Sequence, residues 1–112
     1  MKFNLRKNCL ESKKKEFYYG AKLNKNIVDV YLGEGFLESN ESGRKISPGR
    51  GHEEIVYIRE GKIKIQLDDK EEILESGELL YIPERKTAIL TNLSEKRSYF
   101  LIAGGHTKFH KH

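Results

Sequence analysis

The chain has no tryptophan, one methionine and a single cysteine among its 112 residues. Cys9 has no partner for an internal disulfide and no second thiol at metal-cluster spacing, so it reads as a small residue near a mobile end in a reducing compartment. No apolar run approaches the ~20 residues that span a bilayer. The opening segment MKFNLRKNCLESKKKEF also lacks the apolar core of a signal peptide, which makes a cytoplasmic protein with no membrane role the expectation. Sustained 3.6-residue periodicity is missing too, which argues against α/β architecture.

A formal charge of +4 invites a nucleic-acid role, but its distribution opposes one. Residues 1–15 carry six Lys/Arg against one Glu, residues 96–112 carry four against none, and residues 16–95 carry eleven against sixteen Asp/Glu. The body is therefore acidic, at −5. Phosphate binding needs cations gathered on one face, and only the terminal segments offer them, so no nucleic-acid partner is expected.

What is present is a succession of short β-prone segments separated by turn residues. Phe17-Tyr18-Tyr19 and Ile27 to Leu32 have strand composition, with Asn24-Lys25-Asn26 as a turn between them. Gly33-Glu34-Gly35 is expected to bend or bulge the chain before a further short strand at Phe36-Leu37-Glu38. Ile55 to Ile58 is apolar at successive positions, as in a strand covered on both sides, whereas Lys62 to Leu67 alternates strictly and has one wet face. Leu79 to Ile82 ends at Pro83, which cannot donate a ladder hydrogen bond. Thr87 to Thr91 and Ser98 to Ala103 complete eight or more strands, the pattern of an all-β sandwich or barrel. Residues 1–15 read as a loose arm or edge strand, 16–105 as the barrel and 106–112 as a His-rich tail.

Two signatures organise the centre. Glu54 is followed by six residues and Gly61; Gly77 is followed by five and Pro83, with Asn92 nine residues further on. This spacing resembles the cupin superfamily, whose motifs read Gly-x5-His-x-His-x3,4-Glu-x6-Gly and Gly-x5-Pro-x-Gly-x2-His-x3-Asn. The resemblance implies a double-stranded β-helix, or jelly-roll barrel. Gly61 and Gly77 then stand where tight turns require positive φ.

In the family three histidines and the glutamate hold a transition metal. Counting back from Glu54, Pro48 and Arg50 (or Ser47 and Gly49) stand at the histidine positions, and Arg85 and Ala88 replace the second motif's glycine and histidine. Glu54 alone stays in register, so no metal or other cofactor is expected. In an extended segment His52 and Glu54 share one face, which the resemblance directs into the barrel. A carboxyl buried there has its pKa raised, and an imidazole titrates near neutrality, so the pair is the candidate acid–base group for a sugar-like or carboxylate ligand. Two ligands are too few for a dedicated metal site, although a divalent metal on a nonstandard set is the alternative.

Arg50 and Arg85, in the motif loops, are placed to meet an anionic substituent. Tyr81 and Asn92 join them as candidate ligand-binding residues, Tyr81 reading equally as barrel wall or interface and Asn92 as a turn residue. His106, His110 and His112 lie within seven residues, and a fold-back of His106 to join His52 and Glu54 is a further option. The resemblance also implies a homodimer, with the N-terminal arm crossing to a partner, and a third reading is a non-catalytic barrel filled by its own side chains.

Overall fold

The computed structural model describes residues 2–108, so His110 and His112 lie outside the described residues. Nine strands follow one short helix, α1 (Leu5–Glu11): β1 (Glu16–Tyr19), β2 (Tyr31–Leu37), β3 (Arg44–Ile46), β4 (His52–Glu60), β5 (Lys62–Leu67), β6 (Lys70–Glu75), β7 (Leu79–Ile82), β8 (Ala88–Asn92) and β9 (Ser98–His106). They form two antiparallel sheets, ordered β1-β2-β9-β4-β7 and β3-β8-β5-β6. Among the described residues no helix is long and apolar enough to cross a membrane.

The two sheets close over one core, because each strand turns alternate residues inward. Val56 and Ile58 of β4, Ile63 and Ile65 of β5, Leu90 of β8, and Phe100 and Ile102 of β9 are all essentially inaccessible to solvent. Each such side chain contributes about 1.5–3 kcal/mol of burial. This filling occupies the waist of the barrel and leaves space only towards one end.

The turn glycines behave as their spacing requires. Gly61 has φ +105° and Gly77 has φ +94°. At Gly61 a Cβ would also lie 2.0 Å from Ser98 Oγ, so both dihedral and space exclude a side chain there.

Several sequence expectations are corrected. The arm at residues 1–15 contains α1, capped by Asn4, whose Oδ1 accepts the Lys7 N–H at 2.9 Å. Two helical turns are too short to display a period. Cys9 is fully buried rather than peripheral, and burial, reinforced by Glu34 and Glu16, pushes its thiol up to about 11. The helix lies on the sheet, with Arg6 Nε 3.1 Å from Glu34 Oε2. Ile27 to Val30 is a loop with Val28 and Val30 exposed, and β2 begins at Tyr31.

Gly33-Glu34-Gly35 is continuous strand rather than a bulge. It pairs Tyr18↔Gly33 and Gly35↔Phe100, and Cβ atoms there would come within 2.3 Å of the Tyr18 and Phe100 rings. The glycines serve close approach, not bending. Lastly, Ile55 to Ile58 is not covered on both sides: Glu54, Val56 and Ile58 are buried while Ile55 and Tyr57 are exposed, the alternation of a strand with one face bare.

Asn92, at the end of β8, locks the far end of the barrel. Its amide nitrogen donates to the carbonyls of Glu38 (2.8 Å) and Lys96 (2.9 Å), and its oxygen accepts from Ser98 Oγ (2.7 Å) and the Ser94 N–H (2.9 Å). The residue is 3% exposed, so its replacement strands several buried partners. Asn92→Ala is expected to cost about 3 kcal/mol, read as a lowered denaturant midpoint at unchanged slope.

Candidate functional site

The open end of the barrel is where β2 begins, β9 ends and β4 begins. Tyr31 of β2 pairs with Gly104 of β9, and Gly104 pairs in turn with Glu54 of β4. The middle strand presents no side chain at this register, which opens a path across it. A Cβ on Gly104 would sit 2.2 Å from Tyr31 Cζ, so the tyrosine ring lies across the glycine and reaches the strand beyond it. There its hydroxyl donates to Glu54 Oε2 at 2.5 Å.

Glu54 is 6% exposed, and its other oxygen, Oε1, is buried without a hydrogen-bond partner among the described residues. Burial raises its pKa above the ordinary 4.5, the Tyr31 hydroxyl works in the opposite direction, and the Glu16 carboxylate adds a further rise. The tyrosine responds in kind, its own pKa raised by burial and by its bond to the carboxylate. A buried carboxyl that resists ionisation, coupled to a phenol, is suited to holding and releasing a proton.

Tyr31 also lines a cavity of about 600 Å³, together with Tyr18, the loop from Gly20 to Lys22, Ile27 to Val30, Gly49, His52 and His106, whereas Glu54 lines a smaller one of about 330 Å³ with Glu16, Tyr18, Lys45, Ile46 and Ser47. Ile27, Val28 and Val30 make one wall of the larger cavity apolar, while Asp29, Tyr31 and the two histidines make the other polar. His52 and His106 are directly opposed on β4 and β9, with ring centroids 4.6 Å apart. His106 is thus the last residue of a strand. His52 Nδ1 is 3.2 Å from the Arg50 carbonyl and its ring stands edge-on to Tyr31, 5.8 Å between centroids. His106 is bound to Asp29 through both its backbone N–H (2.7 Å) and Nδ1 (2.5 Å).

The structure therefore brings His52, Glu54 and His106 to one end of the barrel, and the other sequence candidates stand elsewhere. Arg50 is exposed and meets the site through its carbonyl. Arg85, at φ +66° and exposed, lies 3.8 Å from Glu84. Tyr81 faces outward from β7, half exposed, donating to Glu53 at 2.7 Å. The Asn92 amide is engaged by backbone and Ser98, in the turn role open to it from sequence.

Tyr31, Asp29 and Glu84 are residues that sequence reasoning missed. Glu84 clasps the rim, accepting from the Gly51 N–H (2.6 Å) and Thr107 Oγ1 (3.1 Å), and the first of these bonds holds its carboxyl below the usual range. Gly33, Gly35 and Gly104, set among β-prone residues, were the available signal, since strand glycines mark close approach of another group.

Residues 37–112 match the model of the cupin domain. The chain belongs to the cupin superfamily. Among solved structures it is similar to a cupin protein from Bacteroides fragilis (18% identity, TM-score 0.66, covering 90% of this chain and 84% of that one). KdgF from Halomonas sp. is comparable, at 12% identity and TM-score 0.64, covering 88% and 84%. The cupin domain of Schizosaccharomyces pombe Cnp3 aligns at 10% identity and TM-score 0.62 over 70% of this chain, which spans 56% of that chain's length. These likenesses are of fold. No curated protein matches the chain.

The family's metal does not fit the residues present. Ala88, fully buried, stands where the second motif has histidine, and Glu54 Oε2 is taken by Tyr31. Among the described residues no three His, Cys, Asp or Glu side chains converge to hold an ion.

Because the folded-state pKa of Glu54 is raised, its proton favours the folded state: that stabilisation is complete below about 4.5 and is lost as pH rises through the folded value. Glu54→Gln removes the titration. Its melting temperature relative to the parent is expected to climb between pH 4 and pH 8 in thermal unfolding, and a fall over that range would contradict the assignment.

Proposed function

We propose that this small cupin binds a sugar-like or carboxylate molecule in the mouth cavity and moves a proton on it without a metal, as an isomerase or epimerase does. The observation that carries this reading is the buried Glu54 carboxyl, hydrogen-bonded at 2.5 Å to Tyr31, whose ring lines the cavity of about 600 Å³ while Glu54 itself lines the adjoining space of about 330 Å³. Tyr31, at the cavity wall, connects Glu54 to the bound molecule, and His52 stands on the same polar wall as the second titrating group. The apolar wall of Ile27, Val28 and Val30 accommodates a carbon skeleton, while the polar wall takes carbonyl, carboxylate or hydroxyl groups.

The test is a panel of ketoses, aldoses and keto acids incubated with the protein in D2O and followed by NMR for deuterium entering the carbon beside the carbonyl. At least one compound is expected to exchange, with Glu54→Gln slowing exchange roughly 10²–10⁴-fold. Exchange unaffected by Glu54→Gln, or none across the panel, would contradict the reading.

The same chain is proposed to work as a homodimer. Ile55 and Tyr57 of β4, Leu79 and Tyr81 of β7, and Ala103 of β9 are exposed on the outer face of the larger sheet, while α1 covers the β1–β2 side of that face. Glu53 and Arg59 flank them on β4, so charge stands at the ends of an apolar and aromatic centre. Loss of charge with retained aromatics is the composition of an interface centre, and a twisted sheet face packs well on a second of the same hand. Sedimentation equilibrium is expected to give a dimer that Tyr57→Lys converts to a folded monomer; a monomeric parent chain would remove the assignment.

A further inference from the structure

The inner face of the larger sheet carries two carboxyl–tyrosine pairs rather than one. Beside Glu54 and Tyr31, Tyr18 Oη donates to Glu16 Oε1 at 2.9 Å. The Tyr18 ring lies over Gly33, its partner on β2, where a Cβ would stand 2.3 Å away. This repeats the arrangement of Tyr31 over Gly104, and the two rings meet edge-on with centroids 6.3 Å apart. Tyr18 lines both the cavity of about 600 Å³ and the smaller one of about 330 Å³, so it stands at their partition.

The polar side chains of the smaller space are acceptors whose own protons are already committed. Burial raises the pKa of both phenols, so each keeps its proton and shares it with a carboxyl oxygen. Ser47 Oγ donates to the Lys86 carbonyl at 2.8 Å. Glu16 Oε2 accepts from Arg44 Nη1 at 2.9 Å, and Arg44 is engaged further by Glu41 and the Phe36 carbonyl. Lys45, the one cation on this lining, is exposed on β3 between Arg44 and Ile46, which turn inward. Glu54 Oε1 has no partner among the described residues. A ligand carboxylate would bring acceptors only, and a like charge beside Glu16. A hydroxyl brings the donor these oxygens lack, and it also accepts from Glu54 whenever that carboxyl is protonated.

We propose that the smaller space is a second compartment of the site, which takes an uncharged, hydroxyl-bearing end of a ligand and refuses a carboxylate, with Glu16 as the specificity-determining residue. The inference rests on the reading of the mouth as a small-molecule site and narrows its ligand to one whose inserted end is a polyol. The carbon skeleton lies along Ile27, Val28 and Val30, while that end passes Tyr18 to reach Glu54, which lines the smaller space and not the larger.

Chemical-shift titration of the ¹⁵N-labelled full chain tests this with probes whose two ends are alike: xylitol and glucitol, against their dicarboxylates xylarate and glucarate. At least one alditol is expected to shift the Tyr18, Ile46 and Glu54 amides, and its dicarboxylate to bind at least about tenfold more weakly. Glu16→Gln is expected to narrow that gap. With no probe present, it is also expected to lower the Glu54 titration midpoint, because the Glu16 charge is one cause of its rise. A dicarboxylate that binds as tightly as its alditol, no shift at these amides with any probe, or a gap unchanged in Glu16→Gln would overturn the proposal. The parent ranking requires no variant, so it decides even where Glu16→Gln misfolds. Alditol binding with a failed deuterium-exchange panel would remove the proton transfer and keep the compartment; exchange confined to keto acids would keep the proton transfer and overturn the compartment.

Discussion

The hydrogen bond that Tyr31 makes to Glu54 across Gly104 determines the character of the barrel mouth. A tyrosine on β2 reaches β4 only because the strand between them presents no side chain at that register. The bond anchors one oxygen of a largely buried carboxyl to a phenol whose ring lines the cavity. Without it the buried Glu54 would have neither oxygen satisfied. The packed waist of Val56, Ile58, Phe100 and Ile102 gives this pair a dry floor, and in low dielectric both burial and hydrogen bonding act strongly on its protonation.

Around this bond the framework divides its labour by end. At the closed end Asn92, Ser98 and Gly61 tie the β8–β9 turn to the β4–β5 turn through buried hydrogen bonds and a glycine-only dihedral. At the open end the ties are acidic side chains: Asp29 on the end of β9, and Glu84 on Gly51 and Thr107. The motif residues that remain in this chain are chiefly those of the closed end and the turns, together with Glu54. The changed motif positions divide between exposed loops, at Arg50 and Arg85, and the core, at Ala88.

The sequence made the architecture readable because turn glycines and period-two strands report backbone geometry directly. Gly61, Gly77 and Pro83 each stand where a local rule demands them, and Lys62 to Leu67 alternates as a strand with one wet face must. Glu54 and His52 were readable from the same alternation. Tyr31 was not, because its role depends on a glycine 73 positions away, and a tyrosine among branched residues reads only as strand. Asp29 was hidden similarly, inside a hydrophobic run that looks like strand but serves as cavity wall. The helix escaped notice for another reason: its two turns owe their stability to a cap and a buried cysteine, neither of which leaves a period.

The chemistry of the mouth depends on Glu54 being a carboxyl held above its ordinary pKa, with Tyr31 moderating that rise. The most direct measurement is the titration of its side-chain carbonyl carbon by ¹³C NMR in the parent protein and in Tyr31→Phe. A midpoint above the ordinary 4.5 in the parent, moving further upward when the hydroxyl donor is removed, is the predicted result. A parent midpoint at or below 4.5, or a downward move in Tyr31→Phe, would contradict it.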